Sequence, residues 1–286
     1  MANPDLANSD IADSGLASPG LTLPALIEID KVCKSFDGGR TFAVRDATIS
    51  IAAGSFIAVV GTSGSGKTTT LKFINRLVEP GSGEVRIEGV RVGSIDAPTL
   101  RRRIGYVFQG IGLFPHMRVG ENIGITPQLL GWQRTEIAAR IDELLDLVGL
   151  PRSYASRLPG ALSGGQAQRV SVARALAARP RIVLMDEPFG ALDPVTRDTL
   201  GSAYRELHER LGLTTVMVTH DVQEALLLAD RIVVMSGGRV LAQGTPAALM
   251  SDAADPGVAA LMAMPRRQAE RIAAILQPNG GEARHG

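Results

Sequence analysis

Only one cysteine, Cys33, occurs in the 286 residues, so no disulfide can form within the chain. It lies in IEIDKVCKSF, which alternates like a strand, and it reads as a small strand residue in a protein of a reducing compartment. A basic excess is also missing: 30 Lys and Arg against 29 Asp and Glu leave a formal net charge of +1. That balance argues against nucleic acid as a partner. The local run Arg101-Arg102-Arg103 reads as a solvated helix end. No stretch approaches the roughly 18 consecutive apolar residues of a membrane helix. Residues 1–25 have no basic leader and no unbroken apolar core. They are expected to form a polar, disordered tail rather than a secretion signal, leaving the protein in the cytoplasm.

The sequence is 45% hydrophobic and 21% charged, enough apolar material for a sizeable core. Between residues 26 and 60 it reads as strands broken by turns. The apolar run Phe56–Val60 then meets a glycine loop, followed by TTTLKFINRLV, whose Leu71, Ile74, Leu77 and Val78 share one helical face. Strand, glycine loop and helix in that order form the nucleotide-binding α/β pattern. EVRIEGVRV (84–92) predicts a hairpin strand and IGYVFQ (104–109) another strand. From about Glu121 to Ala178 the periodicity is helical, as expected of an inserted helical subdomain. RIVLMDE (181–187) and TTVMVTH (214–220) are short apolar runs of the kind buried on both faces of a parallel sheet. RIVVMSGGRVLAQG (231–244) predicts a terminal hairpin, and the remainder two short helices with a frayed end.

The glycine loop, Gly61-Thr62-Ser63-Gly64-Ser65-Gly66-Lys67-Thr68, satisfies G-x-x-x-x-G-K-[ST] with a strand before it and a helix after it. Its glycines let backbone N–H groups curl around phosphate oxygens, and the helix N-terminus adds a favourable dipole. Lys67 is then expected on the β- and γ-phosphates of ATP and the Thr68 hydroxyl on Mg²⁺, with Thr69 beside it. Asp186 and Glu187 close an apolar strand. Buried carboxylates there are costly unless they are paired or metal-bound. Asp186 is assigned to Mg²⁺ and Glu187 to the base that activates water. A second glycine turn, Ser163-Gly164-Gly165-Gln166, opens an apolar helix. By itself it reads as an ordinary N-cap.

The phosphate loop, LSGGQ (162–166), DEPFGALD (186–193) and TVMVTHD (215–221) resemble, in order and spacing, the ATP-binding cassette (ABC) ATPases. The resemblance spans about residues 27–250. It implies a P-loop NTPase fold of α/β class: a RecA-like parallel-sheet core, an antiparallel β subdomain, and a helical subdomain at about 120–178. The ATPase domain would cover 26–250 and a short helical extension 251–286. The resemblance places Phe36 against adenine and Gln109 on Mg²⁺ and the attacking water. It sets His220 on the γ-phosphate and Asp193 across a dimer interface. Ser163, Gly164, Gly165 and Gln166 become half of a site whose phosphate loop, including Ser63 and Ser65, lies on a second copy. A homodimer holding two ATP molecules follows.

DEPFGALDP, IGYVFQGIGLFPHMRVGENI, TPQLLGW and VTHDVQEALLLADRIVVM further resemble the ATPase subunits of osmoprotectant importers for glycine betaine, carnitine, choline and related quaternary amines. That resemblance implies membrane permease subunits docking near Gly110–Asn122, with Ile111, Leu113, Phe114 and Met117 as candidate contacts. It also implies a separate substrate-binding protein, and a place at the cytoplasmic face of the plasma membrane. Two departures stand out. Ala167 replaces a second Gln after SGGQ, and the chain ends at Gly286 without room for the paired CBS modules carried by many such ATPases. The alternatives are an ABC ATPase for another small solute, such as an amino acid, and a non-transport ABC ATPase.

Overall fold

A computed structural model describes residues 25–251 and 255–276. The tail expected at 1–25 lies almost wholly outside the described residues. In chain order the first elements are β1 (Ala25–Lys34), β2 (Val44–Ala52), β3 (Phe56–Gly61), α1 (Lys67–Ile74), β4 (Ser82–Ile87) and β5 (Val90–Arg91). Next come α2 (Ala97–Arg102), β6 (Ile104–Val107), α3 (Val119–Leu129), α4 (Arg134–Leu147) and α5 (Gly164–Leu176). The remainder is β7 (Ile182–Asp186), α6 (Pro194–Leu211), β8 (Thr214–Val218), α7 (Val222–Leu228), β9 (Arg231–Ser236), β10 (Arg239–Gly244), α8 (Pro246–Ser251) and α9 (Pro256–Leu276).

Two sheets organise the chain. A six-stranded sheet has the order β10-β9-β3-β8-β7-β6, and a four-stranded sheet the order β2-β1-β4-β5. β9, β3, β8, β7 and β6 run parallel, with β10 antiparallel at the edge. The smaller sheet is antiparallel throughout. The architecture is the expected α/β phosphate-loop fold.

β3 shows why the core forms here, since all six of its residues are buried. Phe56, Ala58 and Val60 face one hydrophobic cluster with α5 and α6, whereas Ile57 and Val59 face another with α1 and the small sheet. The two-residue period of a strand feeds both layers. Fully burying a side chain such as Phe56 is worth about 1.5–3 kcal/mol. The edge where β3, β7 and β6 end thereby becomes a stable platform for the loops that follow.

Two expectations need correction. Leu77 is not on the apolar face of α1: the helix stops at Ile74 and Leu77 is 45% exposed. Arg76 adopts a left-handed φ of 55°. Leu77 N–H bonds Lys72 O at 3.0 Å and Arg76 N–H bonds Phe73 O at 3.2 Å, closing the helix in a Schellman turn. The C-terminal segment is not two short helices, because α8 has 6 residues and α9 has 21, with Pro265 inside it. Arg101 is exposed in the last turn of α2, the solvated helix end expected, and it also donates to Asn75 O at 3.2 Å and Arg76 O at 2.5 Å, covering the end of α1.

Candidate functional site

The phosphate loop joins β3 to α1, and its shape depends on backbone that other residues do not readily adopt. Gly66 has φ 95°, and a Cβ there would stand 2.3 Å from Ala43 O. Gly66 is also the N-cap of α1 and supplies no side-chain cap, so the first N–H groups of α1 face the cleft side with their dipole. Lys67 folds back over the loop, its Nζ donating to Gly61 O at 2.8 Å and Thr62 O at 2.9 Å. Burial depresses the Lys67 pKa, while the carboxylates of Glu187 and Asp186 work in the opposite direction.

Asp186 ends β7 deep in the sheet and is 3% exposed. Thr68 Oγ1 donates to its Oδ1 at 2.8 Å. The Tyr106 hydroxyl approaches its Oδ2 at 3.5 Å, and burial followed by the Asp186 charge pushes that phenol well above its usual range. Glu187 follows in the left-handed region at φ 47°, while its N–H continues the sheet ladder to Val218 O at 2.8 Å. This backbone costs a non-glycine residue about 1–2 kcal/mol. It turns the chain at once after the strand, and the Glu187 side chain lines the cleft. Gln109 Nε2 donates to Glu187 Oε2 at 3.2 Å, and His220 Nδ1 lies 3.4 Å from the same oxygen.

A cleft of about 550 Å³ is walled by the loop from Ser63 to Thr69, with Gln109, Glu187, His220 and Ala43. Five separated segments of the sequence thus converge on one volume. Phe36 does not line it; the ring is 67% exposed, with Lys34 Nζ 5.3 Å from its centroid.

Ser163, Gly164, Gly165, Gln166 and Asp193 form a second group away from this cleft wall. Ser163 Oγ accepts from Gln166 N–H at 3.3 Å and Gln166 Oε1 accepts from Ser163 N–H at 3.1 Å, a reciprocal cap on α5. Asp193 caps α6 by accepting from Thr196 N–H at 3.0 Å, and hydrogen bonds from Thr196 hold its carboxyl below the usual range. A Cβ on Gly165 would stand 2.8 Å from Thr196 Cγ2, so the N-termini of α5 and α6 lie side by side. The chain therefore carries a phosphate-loop cleft and, apart from it, a paired helix-terminus surface.

Beside Gln109 a groove of about 580 Å³ runs between β6 and α3, with Leu77, Phe108, Phe114 and Leu129 among its walls. Phe114 is 41% exposed. Of its expected companions, Leu113 packs against the core, and Ile111 and Met117 are half-buried. Arg174 underlies the groove, donating to Gly112 O at 2.7 Å. Tyr106 and Ala43 were not legible as site residues. The alternation in IGYVFQ puts Tyr106 on a strand, but only tertiary pairing brings it to Asp186.

Residues 44–190 match the ABC transporter family. The chain is 53% identical over 226 residues to the glycine betaine uptake system ATP-binding protein YehX of Escherichia coli, covering 79% of this chain and 73% of that one. It is 48% identical over 230 residues to the choline transport ATP-binding protein OpuBA of Bacillus subtilis, covering 80% of this chain and 60% of the relative's length. The dimeric cassette MJ0796 in a post-hydrolysis state bound to ADP and Pi superimposes with a TM-score of 0.69 at 35% identity, covering 77% of this chain and 98% of that one. By its motif order, its fold and these likenesses, the chain belongs to the ABC transporter family as one of its ATP-binding cassettes.

Proposed function

We propose that this chain is the ATP-hydrolysing subunit of an importer for a quaternary amine of the glycine betaine, choline or carnitine type. The observation that carries the ATPase reading is the convergence of Gln109 and His220 on one carboxylate oxygen of Glu187 at the rim of the phosphate-loop cleft. The identities to glycine betaine and choline transport ATP-binding proteins support the substrate class.

In this reading the loop amides and Lys67 hold the β- and γ-phosphates. The Thr68 hydroxyl and the Asp186 carboxylate are already within one hydrogen bond. They form an incomplete all-oxygen donor set, which suits Mg²⁺ because that ion takes its remaining ligands from phosphate and water. When bound, Mg²⁺ neutralises developing phosphate charge. Glu187 accepts the proton of the attacking water, Gln109 orients that water, and His220 donates toward the γ-phosphate. Ser163–Gln166 and Asp193 serve the nucleotide held by a second copy, so two ATP molecules sit between two chains. Phe36, exposed on the rim of the small sheet, stacks on adenine. The groove lined by Phe108, Phe114 and Leu129 receives the membrane subunits, which keeps the chain peripheral at the cytoplasmic face.

Deleting the gene in its host and measuring uptake of labelled glycine betaine, choline and carnitine, with methionine as an amino-acid control, tests the substrate class. Quaternary-amine uptake should fall and return with the wild-type gene but not with Glu187→Gln. Unchanged uptake of all three amines would overturn the substrate assignment.

A further inference from the structure

The hydrolytic reading leaves the orientation of His220 unexplained, because its side chain is 60% exposed and no strand holds it directly. The structure shows how its turn is fixed. On one side Thr219 N–H bonds Val59 O at 3.2 Å and Thr219 Oγ1 accepts from Asp221 N–H at 3.0 Å. On the other, both oxygens of Asp221 are engaged. Oδ1 accepts from Gln223 N–H at 2.9 Å and Glu224 N–H at 3.2 Å, capping α7. Oδ2 accepts from Arg197 Nη1 at 2.8 Å.

Arg197 sits on the first turn of α6, its own N–H bonded to Asp193 O at 2.9 Å. Its second arm, Nη2, donates to Leu192 O at 3.2 Å. One planar guanidinium thus clamps the turn preceding Asp193 to the turn following His220. The two turns are close: a Cβ on Gly190 would stand 3.6 Å from His220 Cε1. The pair is only partly exposed, at 29% for Arg197 and 28% for Asp221, and Nε of Arg197 is buried without a partner among the described residues. An arrangement that leaves a donor unpaired while satisfying two others is dictated by the geometry of those two bonds.

We propose that Arg197 is a positioning residue for hydrolysis, acting through Asp221 to hold His220 in register with the Asp193 turn. Because Asp193 and Ser163–Gln166 lie on the surface proposed to meet a second copy, movement of that surface is relayed by Arg197 to His220. The inference rests on the assignment of Glu187 and His220 to ATP hydrolysis.

The test compares purified wild type, Arg197→Ala, Arg197→Lys and Arg197→Ala/Asp221→Asn in steady-state Mg-ATP hydrolysis, in Mg-ATP affinity by calorimetry, and in thermal melting. Arg197→Ala should lower kcat by about tenfold or more while the ATP affinity stays within about twofold. Arg197→Lys, with one ammonium that cannot span both acceptors, should recover the melting temperature but not kcat. The double variant should be no slower than Arg197→Ala alone, since both changes break one clamp. An undiminished kcat in Arg197→Ala, a full recovery of kcat by Lys, or an additive loss in the double variant would each overturn the proposal. Wild type that binds Mg-ATP without hydrolysing it would instead overturn the underlying ATPase reading.

Discussion

Gln109 Nε2 and Glu187 Oε2 are 3.2 Å apart, joining the ends of β6 and β7 across the mouth of the phosphate-loop cleft. In the proposed reading the same amide orients the water that Glu187 deprotonates. Replacing Gln109 with Ala should therefore lower kcat by roughly 10²-fold and leave nucleotide affinity nearly unchanged, as removal of an orienting group does. Steady-state kinetics paired with calorimetric titration separates the two effects.

The Thr68 Oγ1 to Asp186 Oδ1 bond of 2.8 Å predicts a specific metal dependence. Thr68→Val and Asp186→Asn should bind ATP in EDTA as wild type does, yet gain little affinity when Mg²⁺ is added. Titrations with and without the metal read this out. An Asp186→Asn protein with the full Mg²⁺ enhancement would remove Asp186 from the metal assignment.

Two glycines of one loop should respond very differently to alanine. Both have positive φ, but a Cβ on Gly64 meets nothing within 4 Å, whereas one on Gly66 meets Ala43 O at 2.3 Å. Gly64→Ala should cost about 1–2 kcal/mol for backbone strain alone. Gly66→Ala should cost more and abolish nucleotide binding, because the loop residue Ala43, just before β2, would have to move. Denaturant unfolding and nucleotide titration of both variants check this.

His208 gives a pH dependence whose sign is fixed. Its imidazole is 2% exposed beside Phe56, with Nδ1 3.0 Å from Thr215 Oγ1. Burial, reinforced by the charge of Arg205, holds its pKa below the ordinary histidine value of 6.5. The folded state thus binds this proton less readily than the unfolded chain. The contribution is fully present above the unfolded pKa and is lost as pH falls below it. Urea unfolding of wild type and His208→Gln should show a stability difference at pH 7.5 that shrinks by pH 5.5.

Much of the site was legible because its groups are short contiguous runs whose chemistry fixes their place. A phosphate loop needs glycines and a lysine at set spacing, and an Asp-Glu pair ending an apolar strand needs a metal or a reaction to justify it. The residues that escaped notice depend on tertiary neighbours. Tyr106 reaches Asp186 only because β6 pairs with β7. Arg197 looks like an ordinary helix residue until α6 and α7 bring Leu192 and Asp221 to it. Leu77 was misplaced because helical periodicity says nothing of the turn at Arg76, where the helix already closes.

The central claim is that each chain carries two halves of different sites: the phosphate-loop cleft, and the paired helix termini at Ser163 and Asp193. Light scattering of the Glu187→Gln variant with saturating Mg-ATP tests it most directly. The account predicts a dimer that forms with ATP, persists because hydrolysis is slowed, and is lost when Ser163 and Gly165 are also replaced. A Glu187→Gln protein that binds ATP and stays monomeric would contradict it.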